Sequence, residues 1–153
     1  MELRPAKRLF MPVVNAPEDT ILPKRGTKNS AGYDFYAAED IVCRAKSVSK
    51  LSFTNVKVLM PKNEYLAIMI RSSLAVKHGL QVAQGVAVID ADYFGNPDND
   101  GNIGIALVNN SNMGYTIKKG ERFCQGIFHS YEITDDDMAE GDRVGGYGHT
   151  GKK

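Results

Sequence analysis

The chain contains Val56-Lys57-Val58-Leu59-Met60 and then Pro61-Lys62-Asn63-Glu64, an apolar residue at every second position followed at once by a turn. Period two places alternate side chains on opposite faces of a pleated strand, so Val56, Val58 and Met60 are expected to face a core. Ile103, Ile105 and Leu107 repeat the pattern. Between such runs, turn-forming clusters recur at 24–32, 61–64, 95–104, 109–114 and 118–120, rich in residues that favour turn geometry. Many short strands at close spacing, without crossover helices of about 10–15 residues, predict an all-β sandwich or jelly roll rather than an α/β sheet. One short helix is expected over Ser72–His78, opened by a serine that can cap it and closed by Gly79.

The 153 residues suit a single domain, its core at about 1–133 and a C-terminal arm at about 134–153. The arm changes character: Asp135, Asp136 and Asp137 are followed by Gly141, Gly145, Gly146, Gly148 and Gly151. Such a segment buries little and is either a disordered end or a flexible arm that orders over a ligand. Lys and Arg total 19 against 18 Asp and Glu, a balance that argues against nucleic acid as a partner. No apolar run approaches the roughly 20 residues of a membrane-spanning helix, so no membrane partner is expected. Cys43 and Cys124 match no zinc or redox spacing, and no signal or transit pattern occurs near Met1, which predicts a cytoplasmic protein with reduced thiols.

Three stretches carry chemistry-bearing residues. Arg71, Ser72 and Ser73 follow an apolar run ending at Ile70, so a guanidinium and two hydroxyls sit beside helix-start amides. This is either an anion site or a plain helix cap. Between Gly85 and Gly95, the run Val86 to Ile89 ends abruptly in Asp90, Asp92 and Tyr93. Carboxylates at a strand end suit a general base, or simply a charged turn. Asp34 follows Gly32 where the chain enters another strand. Other patterns fail on their own terms. Gly146 to Lys152 begins like a phosphate loop but lacks the Ser or Thr and the helix that must follow. Asn96, Asp98, Asp100 and Gly101 open like a calcium loop, yet Leu107 stands where the bidentate Glu belongs. His78, His129 and His149 are too widely spaced to suggest a metal cluster.

Taken in order, five segments resemble the motifs of the trimeric deoxyuridine triphosphatase (dUTPase) family. They are Ala31-Gly32-Tyr33-Asp34-Phe35; Arg71-Ser72-Ser73-Leu74-Ala75; Gly85 to Gly95 around Ile89-Asp90-Ala91-Asp92-Tyr93; Lys119-Gly120-Glu121-Arg122-Phe123-Cys124-Gln125; and Gly145-Gly146-Tyr147-Gly148-His149-Thr150-Gly151. The resemblance implies a jelly-roll-like fold and a homotrimer with three shared active sites. It also implies Mg2+-assisted hydrolysis of dUTP to dUMP and pyrophosphate. Arg71, Ser72 and Gln125, with Ser73 beside them, would hold phosphates, and Asp90 would activate the water that attacks the α-phosphorus. Tyr93 would pack against the deoxyribose, while uracil would be read near Gln84, Gly85 and Val88. Tyr147, with Gly148 and His149, would close over the base, and Arg143 would approach the γ-phosphate. Magnesium would be held by phosphates and waters, with Asp34 in an outer shell only, through water.

This sequence departs from the family pattern in having Ile70 for a common Pro, Ser73 for a common Gly, Tyr147 for Phe, and Arg143 one residue nearer the motif-five glycines. Pro97-Asp98-Asn99-Asp100-Gly101-Asn102 reads as an insertion. Two rival functions accompany the resemblance: a dCTP deaminase-like enzyme of the same superfold, which would carry a Glu in the third motif, and a protein-binding regulator on this scaffold, with the insertion as its contact surface.

Overall fold

The computed structural model describes residues 7–147. Its strands are β1 (Leu9–Pro12), β2 (Lys24–Arg25), β3 (Tyr33–Tyr36), β4 (Ile41–Cys43), β5 (Ser52–Phe53), β6 (Val56–Leu59) and β7 (Glu64–Ile70). After the helix α1 (Ser72–His78) come β8 (Leu80–Val82), β9 (Ala87–Asp90), β10 (Gly104–Ile105), β11 (Leu107–Asn109), β12 (Tyr115–Ile117) and β13 (Arg122–Ser130). The largest sheet has the order β2-β3-β13-β7-β9, and four two-stranded pairs, β1-β6, β10-β5, β11-β8 and β12-β4, complete the fold. All pairings are antiparallel. The expected all-β, jelly-roll-like architecture with one short helix is what forms.

Period two explains the packing. Val56, Val58, Met60, Ile103, Ile105 and Leu107 are all buried, each such side chain contributing on the order of 1.5–3 kcal/mol. The 103–107 run is not one strand, however: Gly104 and Ile105 pair with β5, whereas Leu107 onward pairs with β8. The alternation also fails at Lys57, which is itself buried. Its ammonium is 2.7 Å from the Asp100 carboxylate and lies over the Phe94 ring. Pairing lets a long charged side chain stay inside, and the Lys57 hydrogen bond holds Asp100 below the usual carboxylate range.

The helix bounds are as expected, but the cap is not Ser72. Arg71 is the N-cap, with extended backbone and no side-chain capping bond, so Ser72 is the first helical residue and its hydroxyl does no capping. The Arg71 carbonyl accepts from the Leu74 and Ala75 amides. At the other end Gly79 takes the left-handed conformation, φ 66°, that closes a helix without Cβ strain. The helix leads directly out of β7. Among the described residues, no helix is long and apolar enough to cross a membrane.

Candidate active site

Antiparallel register gathers one cluster at the C-terminal end of β7. Gln125 on β13 lies opposite Asp34 on β3 and Met69 on β7, and Arg71 follows β7 immediately. The Arg71 guanidinium is 3.5 Å from Asp34, which also pairs with Arg122 at 3.3 Å. Gly32 leaves room for the Gln125 side-chain amide, which a Cβ at that position would displace. Ser72 and Ser73 are exposed in the first turn of α1. The cluster is therefore cationic, hydroxylated and open, the donor set a polyphosphate requires.

A second cluster forms around β9. Ala87 and Ile89 point into the core, so Val88 and Asp90 share the outward face. A single 3₁₀ turn, Ala91–Tyr93, then brings Asp92 outward and Tyr93 inward. Val88, Asp90 and Tyr93, with Gln84, Gly104, Gly146 and Tyr147, line a cavity of about 180 Å³, room for about six waters or one flat ring. Gly85, with φ 80°, makes the turn into β9.

The end of the described arm, Arg143 to Tyr147, lies on this second cluster. Arg143 donates through Nη2 to Asp90 at 2.6 Å and through Nε to Asp92 at 2.7 Å, so within one chain it sits at the carboxylates and not among the residues near Arg71. The Tyr147 ring stands edge-on to Tyr93 and Phe53, with centroids 6.4 and 6.1 Å apart. Its hydroxyl donates to the Gly104 carbonyl at 2.7 Å and accepts from the Gly104 amide at 2.8 Å. Burial of that hydroxyl, helped by the nearby Tyr93 phenol, pushes the Tyr147 pKa above its ordinary value, which keeps the proton available for donation.

The two clusters occupy opposite ends of one strand. Asp90 pairs with Tyr65, six residues before Arg71, and a rise of about 3.3 Å per residue puts the two roughly 20 Å apart along β7. Of the residues singled out from sequence, Asp34, Arg71, Ser72, Ser73 and Gln125 meet at one end. Gln84, Gly85, Val88, Asp90, Tyr93, Arg143 and Tyr147 meet at the other. Gly148 and His149 lie outside the described residues.

Phe53 and Gly104 were not foreseen. Gly104 had a signal, since a glycine inside an apolar alternation marks a close approach of another group; Phe53 had none. Elsewhere, His78 stacks on Tyr115 at 3.8 Å and His129 on Tyr65 at 5.3 Å. Cys43 and Cys124 are buried and form no disulfide, and burial pushes both thiols up.

The fold and these clusters define an all-β protein with an open cationic, hydroxylated patch at one end of β7 and partly exposed carboxylates at the other. The dUTPase family model matches residues 18–151. The deoxyuridine 5'-triphosphate nucleotidohydrolase of Lactococcus lactis is 42% identical over 132 residues, covering 85% of this chain and 87% of that protein. The crystal structure of dUTPase from Streptococcus mutans superposes with a TM-score of 0.76 at 36% identity, covering 82% of this chain and 98% of that one. A dUTPase from phage phi11 of S. aureus, in which a structural Mg(II) ion is coordinated, shares the fold at TM-score 0.69 and 20% identity, covering 88% and 97%. The chain belongs to the dUTPase family of enzymes.

Proposed function

We propose that the chain hydrolyses dUTP to dUMP and pyrophosphate in a cytoplasmic homotrimer whose three sites each combine both clusters from different subunits. The observation that carries this reading is the separation along β7. Each cluster holds half of a hydrolase, phosphate ligands without a base or a base without phosphate ligands, and one chain keeps them about 20 Å apart. A neighbouring copy can supply the missing half by rotation about a closed symmetry axis.

In the assembled site Arg71, Ser72, Ser73 and Gln125 hold the phosphates, with Asp34 aligning the Arg71 guanidinium. Asp90 takes a proton from the water that attacks the α-phosphorus, in line with the departing pyrophosphate. To do so it must lose Arg143, and the triphosphate offers that guanidinium a denser counter-charge, consistent with Arg143 moving to the γ-phosphate. The Gly104 amide and carbonyl present a donor and an acceptor side by side, the complement of the N3–H and O4 edge of uracil. Gln84, Gly85 and Val88 border the same space, and Tyr93 faces the deoxyribose. Uracil replaces the Tyr147 hydroxyl at Gly104, and the Tyr147 ring closes over the base, with Gly148 and His149 following it in the arm.

The donor set suits a cation that arrives with its substrate. Among the described residues no three His, Cys, Asp or Glu side chains gather to cage a metal. Asp34 is engaged by Arg71 and Arg122 and remains near enough to the phosphate ligands to reach a hydrated ion through water. Mg2+ bound with the substrate would supply neutralisation of the phosphate charge, with Asp34 reaching it through water.

Purified protein incubated with Mg2+ and each deoxynucleoside triphosphate in turn tests the reading. Pyrophosphate from dUTP and ammonia from none is the expected result. Ammonia from dCTP would make the chain a deaminase, and neither product would favour a binding protein on this scaffold.

A further inference from the structure

The segment 97–102 is built around the Tyr93 side chain. Tyr93 is 6% exposed, and its hydroxyl uses both of its capacities. It donates to the Asn102 carbonyl at 2.7 Å and accepts from Asn99 Nδ2 at 2.8 Å. Asn99 is itself held, since its Oδ1 accepts from Asn96 Nδ2 at 2.8 Å and from the Gly101 amide at 3.1 Å. Asn96, 5% exposed, ties the same loop to the Tyr93 backbone carbonyl at 2.9 Å. Gly101 has φ 84°, and a Cβ there would come within 2.7 Å of that carbonyl, so no side chain fits.

The loop is also fastened to the body of the fold. Asp100 accepts from Lys57 Nζ at 2.7 Å and from the Val14 amide at 2.8 Å. Asn102 Oδ1 accepts from the Asn55 amide at 2.9 Å. A continuous polar path thus runs from β6 through the inserted segment to the tip of one aromatic ring.

We propose that Asn99 is a positioning residue that fixes the Tyr93 ring and thereby sets the discrimination between deoxyribonucleotide and ribonucleotide. The inference rests on the reading that Tyr93 faces the sugar. A ring rejects one extra hydroxyl by bulk only if it cannot yield, and a phenol bonded at its far end in two directions resists both tilt and displacement. Asn99 touches no substrate in this account; it acts through Tyr93.

Asn99→Asp is the discriminating variant. It keeps an oxygen for Asn96 and Gly101 but replaces the donor to Tyr93 with an acceptor, so one phenolic proton faces two acceptors. The ratio of kcat/KM for dUTP to that for UTP should fall about fivefold or more, within the range that small steric differences command. The Tyr93 ring resonance, in protein with ring-labelled tyrosine and assigned by its loss in Tyr93→Phe, should shift. In the Tyr93→Phe background, Asn99→Asp should leave the ratio where Tyr93→Phe alone puts it. A lower Tm with an unchanged ratio and an unmoved ring resonance would reduce Asn99 to loop stability and overturn the proposal. Tyr93→Ala, run beside it, separates two failures. An unchanged ratio in Tyr93→Ala overturns the sugar-facing reading and the inference with it. A collapsed ratio there, with no change in Asn99→Asp, overturns only the part given to Asn99.

Discussion

Asp90→Asn should bind dUTP at close to wild-type strength and turn it over about a thousandfold more slowly. The amide has nearly the shape of the carboxylate but cannot take a proton from water. Asp90 ends β9 with its side chain about half exposed, and its only described side-chain partner is Arg143, so the substitution disturbs no packing. Arg143 also keeps Asp92 as a partner at 2.7 Å, and the arm retains a seat. Single-turnover measurement of pyrophosphate release, with dUTP binding followed separately, checks the expectation. A rate near wild type would remove Asp90 from the role of base.

Arg71→Ala should raise KM for dUTP by roughly a hundredfold and lower kcat as well, a loss of about 2–3 kcal/mol for a charge-assisted contact to phosphate. Two effects add. The phosphates lose a guanidinium, and the Asp34 carboxylate, now balanced only by Arg122, becomes a like charge beside them. Arg71→Lys should recover only part of the loss, because an ammonium cannot engage two oxygens in the planar manner of a guanidinium. Stability should change little, since the Arg71 side chain is partly exposed and its carbonyl still starts the helix. Steady-state kinetics with a thermal melt on the same samples separates the two readouts.

The parts legible in the sequence were those set by local pattern. Val56, Val58 and Met60 announced a strand by period, and Ile70 followed by Arg71 placed a cation where the strand ends. Gly79 announced the helix terminus by the one backbone conformation it tolerates better than other residues. What escaped depends on register between distant segments. Lys57 looked like the outward residue of an alternation and is inward, because Asp100, forty-three positions away, supplies the opposite charge. Gly104 has no side chain to advertise its use, yet both its backbone groups face the cavity. The segment around Asn99 read as an insertion in a turn-forming stretch, since nothing local says that its amide meets the Tyr93 hydroxyl. The arm's position on Asp90 and Asp92 was equally out of reach, being set by charges more than fifty residues away.

The resemblance in five short motifs led to the family, and the geometry adds a reason for several subunits to cooperate. The proposed reaction needs both Arg71 and Asp90, which stand at opposite ends of one strand. The most direct measurement mixes two impaired proteins. Arg71→Ala and Asp90→Asn chains, unfolded together at equal amounts and refolded, should regain dUTP hydrolysis. In any mixed trimer one of three sites receives Arg71 from one variant and Asp90 from the other, so random assembly should restore about a quarter of the wild-type rate. Activity no higher than that of the two variants refolded separately, in trimers shown by mass to be mixed, would mean that each chain completes its own site.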